Sequence, residues 1–341
     1  MNYAKSKILN AVNFIIVAVY LKSFIRFHFN PAVQLKFQIG KRSKIFDCVL
    51  YNSESHMLYN RIWRLQPYVD HFVVVSASLT FSSRKNNVSF YPFDKEIQAL
   101  GDKIHLFELN LSANMSNWAR EEIQRNSMLD FVKTLNPKEG DIIIAGDIDE
   151  IPTISGIEFM IQNPPVEDYY NTKYRFYNHN YNSMVKTTWG FTAVFKYSDK
   201  LPSYLLSTSR STRHFVTKQY LGTHCSSCFH TLELYKNKYE SFSHQEFNSY
   251  PFTNYSYIFW SHYCKKQMPW AKDLYKSKLD IHDLAPQDPR LRFLYDKDFI
   301  LDINKTIYKE KDLKTLCKGK NSWWVNGKIG TLNPKYNISR N

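Results

Sequence analysis

The chain has 341 residues, of which 43% are hydrophobic and 22% are charged. This balance is that of a globular protein and excludes disordered and collagen-like chains. Lys and Arg outnumber Asp and Glu by 45 to 31, and the net charge of +14 favours a phosphate-bearing partner or an anionic surface. The basic residues form no long run and no known nucleic-acid-binding motif, so nucleic acid is not an expected partner.

An apolar segment near the N-terminus predicts a membrane anchor. Residues 8–25 are mostly apolar and, at about 18 residues, reach the lower limit for spanning a bilayer. Two lysines precede the segment and no small-residue cleavage site follows it, which is typical of an uncleaved signal-anchor. We therefore expect a cytosolic tail at 1–7, a transmembrane helix at 8–25 and a stem at 26–43. The alternative is a buried or surface amphipathic helix.

Strand and helix patterns alternate from residue 44 onward. Leu58, Ile62 and Leu65 have helical spacing and predict a helix that Pro67 ends, and an apolar stripe predicts a second helix over 117–135. Short apolar runs predict strands at 45–51, 72–75, 104–109 and 141–145. The fourth run is the most apolar and is expected at the centre of the sheet. This alternation indicates an α/β sheet with parallel strands.

The second half of the chain is rich in aromatic residues, and its periodicity is weaker. Residues 174–181 and 190–197 are predicted to be antiparallel strands with alternating faces. The predicted organisation is a main domain over 44–270 with a C-terminal extension over 271–341.

Five cysteines leave at least one unpaired. Cys225 and Cys228 lie between His224 and His230, a spacing that suggests zinc. Four ligands within seven residues rarely surround one tetrahedral ion, however, and no second C-x-x-C is present. The pair lies too late in the chain for a thioredoxin-like site. A local disulfide or two packed thiols are the favoured interpretations, and the residues do not choose between them.

The most informative segment is an acidic turn that follows the fourth predicted strand. Asp147 and Asp149 are two residues apart, so both can face one side and share a divalent cation through oxygen ligands. Gly146 allows close approach of a ligand, and such a cation can bridge the phosphates of a nucleotide-sugar. The alternative is a solvated turn in which Asp147 caps the next helix and Glu150 lies in its first turn.

The segment Asp-x-Asp-Glu-Ile-Pro at 147–152 resembles the signature of glycosyltransferase family 17, the β-1,4-mannosyl-glycoprotein 4-β-N-acetylglucosaminyltransferases. Other segments resemble the family in the same order: 46–52, 69–75 with Thr80-Phe81, Trp118 with Arg120 and Arg125-Asn126, 224–229, and 241–246. The resemblance runs from about 45 to 265 and continues more weakly to 288–290. Two segments depart from it: Ser76 stands where Glu is expected, and residues 52–58 (NSESHML) stand where the family has Asn-Glu-x-x-Leu-Leu.

The resemblance implies a GT-A-like, Rossmann-type nucleotide-sugar-binding sheet, a UDP-GlcNAc donor and a Mn²⁺ or Mg²⁺ ion. It implies inverting transfer to a mannose of a protein-linked N-glycan. Together with the predicted signal-anchor, it leads us to expect a single-pass type II protein of the Golgi, or of the ER and Golgi, with the catalytic domain in the lumen. Asp147 and Asp149 are expected to hold the metal, and Asn52 and Arg125 to bind the donor.

Inversion in one displacement requires a carboxylate base near the acceptor oxygen. Glu246 is the first candidate for this base and Glu150 the second. The supporting residues are predicted to be His224, Cys225, Cys228 and His244. Aromatic residues at 174–181, together with Trp189, are either sugar platforms or core. A transferase with another nucleotide-sugar donor, or a non-catalytic membrane-anchored glycan-binding protein, are the alternative functions.

Overall fold

The computed structural model describes residues 42–213, 216–264, 274–276, 284–296, 324–325 and 328–329. The chain divides into two compact units, residues 1–42 and 43–341. Arg42 is the one described residue of the first unit, so the predicted tail, anchor and most of the stem lie outside the described residues. Among the described helices, none has the length and apolar character needed to span a bilayer.

The described part of the second unit alternates between strands and short helices. The strands are β1 (Ile45–Leu50), β2 (His71–Ala77), β3 (Ile104–Leu109), β4 (Ile142–Asp147), β5 (Glu150–Pro152), β6 (Tyr169–Asn171), β7 (Lys173–Asn178), β8 (Ser183–Trp189), β9 (Ala193–Lys196), β10 (Tyr220–Ser226), β11 (Leu274–Lys276), β12 (Trp324–Val325) and β13 (Lys328–Ile329). The α-helices are α1 (Ser55–Leu65), α2 (Asp94–Gln98), α3 (Asn117–Thr134), α4 (Ile154–Gln162), α5 (Leu205–Ser211), α6 (Leu232–Ser241), α7 (Tyr255–Phe259) and α8 (Arg292–Tyr295).

The first sheet has the order β3-β2-β1-β4-β9-β6. Strands β1 to β4 pair in parallel, whereas β9 is antiparallel to both β4 and β6. The predicted α/β character is therefore confirmed, and so is the central place of β4, which lies between β1 and β9. The carboxyl ends of β1, β2 and β4 meet at one edge, where open α/β sheets bind ligands.

Helix α3 covers one face of the first sheet and begins one residue after Ser116, as the sequence predicts. The hydroxyl of Ser116 caps the helix by accepting a hydrogen bond from the backbone N–H of Ala119 at 3.1 Å. Met128 and Val132 of the predicted apolar stripe are fully buried in the core that α3 forms with the sheet, as is Leu129, and the other two stripe residues, Phe131 and Leu135, are partly buried against it. Because its second half is held in this core, the first two turns of α3 have a fixed place beside the sheet edge.

The second sheet has the order β11-β8-β7-β10-β5. The sequence prediction for this half is partly wrong. The predicted strand at 190–197 shortens to β9 and joins the first sheet, and β8 was not predicted. The three exposed residues of β8, Lys186 to Thr188, interrupt the alternation that would have indicated a strand. Within this sheet, β10 pairs with β5, and His224 lies opposite Glu150.

A buried ion pair joins β1, α1 and the acidic turn. Arg61 on α1 and Asp47 on β1 are both 0% exposed, and Nε and Nη2 of Arg61 donate to the two oxygens of Asp47 at 2.6 Å each. The third nitrogen, Nη1, donates to the backbone oxygens of Asp147 at 3.2 Å and Glu150 at 2.7 Å. One guanidinium therefore holds both ends of the turn against the first strand.

Replacing Arg61 with Met should lower the free energy of unfolding by about 3–5 kcal/mol, because the buried carboxylate of Asp47 loses its partner. Urea unfolding of the wild type and Arg61→Met measures this difference. Arg84→Met is the matched control, since Arg84 pairs with Glu240 on the surface with 49% of its side chain exposed and should cost less than about 1 kcal/mol. Equal losses in the two variants would contradict the prediction.

Candidate functional site

A cavity of about 880 Å³ opens at the edge of the first sheet where β1, β2 and β4 end. The start of α3 forms one wall, α5 another, and residues 242–247 form part of its rim. The polar side chains that line it include Asn52, Glu54, Glu121, Glu122, Arg125, Asp147, Asp149, Arg210, His224, Lys238 and His244. Acidic and basic groups from six separate segments therefore meet in one concave site.

Asp147 is held by two arginines. Its Oδ1 accepts from Nη2 of Arg125 at 2.9 Å, and its Oδ2 accepts from Nη2 of Arg210 at 2.5 Å. Burial alone would raise the pKa of Asp147, but the charges of Arg210 and Arg125 outweigh burial and hold this pKa well below its usual range. Asp147 is therefore ionised, with both oxygens bonded to guanidinium groups.

Glu150 lies directly behind the cavity and is 0% exposed. Its Oε1 accepts from Nη1 of Arg210 and Nε1 of Trp189, at 2.6 Å each. Its Oε2 accepts from Oγ1 of Thr192 at 2.7 Å and from the backbone N–H of Asp147 at 3.2 Å. Arg210 thus bridges the two carboxylates at the two ends of the turn.

Gly146 leaves the space that this carboxylate occupies. A Cβ atom at position 146 would lie 2.7 Å from Oε2 of Glu150 and 3.2 Å from Oγ1 of Thr192. Both distances are closer than ordinary van der Waals contact. The glycine before the acidic turn is therefore required by the packing of Glu150, in addition to the ligand access predicted from the sequence.

Asp149 faces a different set of partners from Asp147. Its Oδ2 lies 3.4 Å from Nε2 of His224 and 3.7 Å from Nζ of Lys238. Burial would raise the pKa of Asp149, but His224 and Lys238 lower it by more. The imidazole of His224 is packed between aromatic rings, with ring centroids 5.0 Å from Phe176 and 3.9 Å from Trp189.

The two predicted metal ligands, Asp147 and Asp149, have different partners in the structure. Within the described ranges, no group of three or more His, Cys, Asp or Glu side chains could by itself hold a metal ion. Oδ2 of Asp149 lies against His224 and Lys238, and a carboxylate oxygen is a ligand that Mn²⁺ and Mg²⁺ accept. Both oxygens of Asp147 already accept from guanidinium groups. Shared metal binding by Asp147 and Asp149 stays a prediction.

The other predicted site residues divide between the cavity and its surroundings. Asn52 lines the cavity, and its side-chain amide donates to Oγ of Ser241 at 3.3 Å. Glu246 lies outside the lining with 61% of its side chain exposed and is 2.6 Å from Nδ1 of His244, which does line the cavity. The fold brings together Asn52, Arg125, Asp147, Asp149, His224 and His244, and leaves Glu150 and Glu246 outside the lining.

Cys225 and Cys228 form a disulfide, which settles the choice left open by the sequence. The backbone N–H of Cys225 donates to the backbone oxygen of Asp149 at 3.0 Å, so the cross-linked turn is joined to the acidic turn. Cys48 is a free, buried cysteine.

Ser76, the first departure from the family pattern, lies outside the cavity lining. Its side chain is buried, and its hydroxyl donates to the backbone oxygen of Phe107 at 3.3 Å.

Several site residues were missed by sequence reasoning. Arg210 and Lys238 supply positive charge beside the acidic turn, and Glu54 and Glu121 are further carboxylates of the cavity. Arg210 lies 63 residues after Asp147 in sequence and belongs to no motif. The general excess of Lys and Arg was the one available signal, and it does not indicate which side chains enter the site.

Residues 32–266 match the sequence profile of glycosyltransferase family 17. The match covers more than half of the chain, so the chain belongs to this family, and the resemblance drawn from the motifs is confirmed. As a member of this family, the protein is classed as a glycosyltransferase. No curated protein sequence matches the chain.

Two solved structures show a distant likeness. One is the mannosyltransferase PcManGT from Pyrobaculum calidifontis in complex with GDP-Man and Mn²⁺, at 11% identity and a TM-score of 0.34, covering 64% of this chain and 66% of that chain. The chain thus spans just under two thirds of the length of that mannosyltransferase. The other is 4-diphosphocytidyl-2C-methyl-D-erythritol synthase, at 12% identity and a TM-score of 0.29, covering 54% of this chain and 90% of that chain.

Because the pKa of Asp147 is lowered in the folded protein, its ionised carboxylate should contribute to the free energy of unfolding, and this contribution should be lost at acid pH. A carboxylate whose pKa is lower in the folded state stabilises the protein above its unfolded value of about 3.9, and this contribution declines as the pH falls toward the folded value. Wild type should therefore exceed Asp147→Asn in free energy of unfolding at pH 5, and the difference should shrink by about pH 2.5. Urea unfolding at a series of pH values measures it. A difference independent of pH would contradict the ion-pair assignment.

Proposed function

We propose that the protein is an inverting glycosyltransferase that moves GlcNAc from UDP-GlcNAc to a mannose of a protein-linked N-glycan, forming a β-1,4 linkage. Family membership supports the reaction class, and the donor, acceptor and linkage are what the family resemblance implies. The observation that carries the proposal is the acidic turn at the carboxyl end of β4, placed in a large cavity among cationic side chains. The parallel order β3-β2-β1-β4 supports a GT-A-like sheet with the nucleotide at this edge.

The charges of the site suit a sugar nucleotide whose diphosphate is the leaving group. Arg125, Arg210 and Lys238 line the cavity and supply positive charge to phosphate oxygens. In the proposal, Asp149 would help to hold a Mn²⁺ or Mg²⁺ ion, and such an ion would neutralise charge on the departing diphosphate. Arg210 and Arg125 keep Asp147 ionised and in place at the end of β4.

The transfer requires that the acceptor hydroxyl lose a proton as its oxygen bonds to the anomeric carbon. The two predicted bases differ in accessibility. Glu150 is fully buried with both oxygens hydrogen-bonded, which disfavours contact with an acceptor. Glu246 is exposed at the rim and pairs with His244. Both assignments stay predictions.

The decisive assay is UDP release by the full chain with UDP-GlcNAc and an N-glycan acceptor, with and without Mn²⁺. Asp149→Asn should lower kcat/KM about 100-fold or more, because a charged oxygen beside the diphosphate is lost. It should also weaken Mn²⁺ binding measured directly by calorimetry. Asp130→Asn, on an exposed part of α3, is the matched control and should behave like the wild type.

The outcomes of this assay separate the alternatives. Turnover with another sugar nucleotide and none with UDP-GlcNAc would show that the donor is not UDP-GlcNAc. Binding of glycans without turnover of any donor would favour the non-catalytic glycan-binding function. Full activity and Mn²⁺ binding in Asp149→Asn would overturn the metal assignment.

We further propose that the protein is a type II membrane protein of the Golgi, or of the ER and Golgi, and that its catalytic domain lies in the lumen. The support is the apolar segment at 8–25 and the six N-x-S/T sequons at Asn87, Asn110, Asn114, Asn254, Asn304 and Asn337. A lumenal domain would carry N-glycans on exposed sequons.

The structure sharpens the glycosylation prediction. Asn87, Asn110 and Asn114 are exposed, whereas the side chain of Asn254 caps α7 by accepting from the backbone N–H of Tyr257 at 3.1 Å. In a eukaryotic host, the three exposed sites should be glycosylated and Asn254 should remain unmodified. Endoglycosidase treatment followed by mass spectrometry of Asn→Gln variants measures site use. A protein free of glycans would contradict the lumenal location.

A further inference from the structure

One face of α3 carries three different chemical groups in a row along the cavity. Trp118, Glu121 and Arg125 are spaced i, i+3 and i+7, so they lie on the same side of the helix, and all three line the cavity. At a rise of 1.5 Å per residue, Trp118 and Arg125 are about 10 Å apart along the helix axis. An aromatic ring, a carboxylate and a guanidinium thus follow one another over that distance.

The aromatic end of this row, Trp118, is exposed to the cavity. Trp118 is 53% exposed although it is large and apolar, and its indole is edge-on to the ring of His244, with centroids 4.8 Å apart. Phe81, Phe242 and Phe247 line the same cavity. Exposed apolar surface inside a concave site usually marks a place where a ligand ring binds.

The basic end is connected to the acidic turn. Nη2 of Arg125 donates to Oε1 of Glu121 at 2.8 Å and to Oδ1 of Asp147 at 2.9 Å. The other oxygen of Glu121 accepts from the hydroxyl of Ser243. Glu121 therefore lies between the aromatic end and the charged end, and its carboxylate already accepts from a hydroxyl group.

We propose that this face of α3 recognises the nucleoside diphosphate portion of the donor, with the base stacked on Trp118, the ribose hydroxyls bonded to Glu121 and the phosphates at Arg125. The order along the helix matches the order of base, ribose and phosphate in the ligand. Ionised carboxylates accept hydrogen bonds, which suits the two hydroxyl donors of a ribose. The inference rests on the proposed function, because it assumes a nucleotide-sugar donor.

An acceptor sugar is the competing occupant of Trp118, and the spacing argues against it. The reacting carbon of the donor is attached to the diphosphate, so the acceptor hydroxyl must come close to the phosphate end of the cavity. Trp118 is two helical turns away from Arg125 and is better placed for the opposite end of the donor. Stacking on an aromatic ring tolerates any base, so the preference for uracil must come from other contacts.

Calorimetry of the full chain with UDP and with inorganic pyrophosphate tests the proposal. Trp118→Ala should weaken UDP binding about tenfold and leave pyrophosphate binding unchanged, because only the stacking contact is removed. Trp118→Phe should restore most of the UDP affinity. Glu121→Gln should reduce the preference for UDP over 2′,3′-dideoxy-UDP, because the neutral amide keeps only one acceptor oxygen. Ile123→Ala is the control, since Ile123 is on the same helix, is 40% exposed and does not line the cavity.

Equal weakening of UDP binding by Trp118→Ala and Ile123→Ala would show a general effect on α3 and overturn the proposal. So would unchanged UDP affinity in Trp118→Ala together with a raised KM for the glycan acceptor, which would assign the ring to the acceptor. A wild type that does not bind UDP would instead contradict the proposed function itself. The two failures are therefore distinguishable.

Discussion

The site depends on one buried ion pair between Asp47 and Arg61. Both side chains are fully buried, and the guanidinium uses its remaining nitrogen to bind backbone oxygens at both ends of the acidic turn. Burying two charges is costly, and the cost is offset only when every donor and acceptor is bonded. Here the bonded partners include the turn itself, so one guanidinium joins the first strand, the first helix and the turn.

In the cavity next to this ion pair, the acidic side chains are paired with basic ones. Arg125 and Arg210 neutralise Asp147, Arg210 also neutralises Glu150, and Asp149 faces His224 and Lys238. The two carboxylates of the Asp-x-Asp motif therefore have different surroundings, although they are only two residues apart. A charge network of this kind sets the orientation of each carboxylate before any substrate binds, which is the preorganisation by which a site stabilises charge that develops during a reaction.

Much of the first sheet was predictable because its elements carry strong local patterns. The apolar run before Asp147 indicated a central strand, and the stripe ending near Val132 indicated α3, since burial imposes periods of 2 and 3.6 residues on the sequence. The second sheet was harder to predict because β8 exposes Lys186 to Thr188 and its pattern is broken. Arg210 was not predictable, because no local pattern marks a residue whose partner, Asp147, is 63 positions away in sequence.

The family and the alternation of strands and helices were readable from the sequence, because they depend on short-range patterns and contiguous motifs, and the same motifs predict the acidic turn as the centre of the site. Three features needed the folded chain: which cations face each carboxylate, the enclosure of Glu150 beside the exposure of Glu246, and the place of Trp118 in the same cavity as Asp149. The physical reason is that charge pairing and burial depend on distances between segments far apart in sequence, and only the packed chain sets those distances.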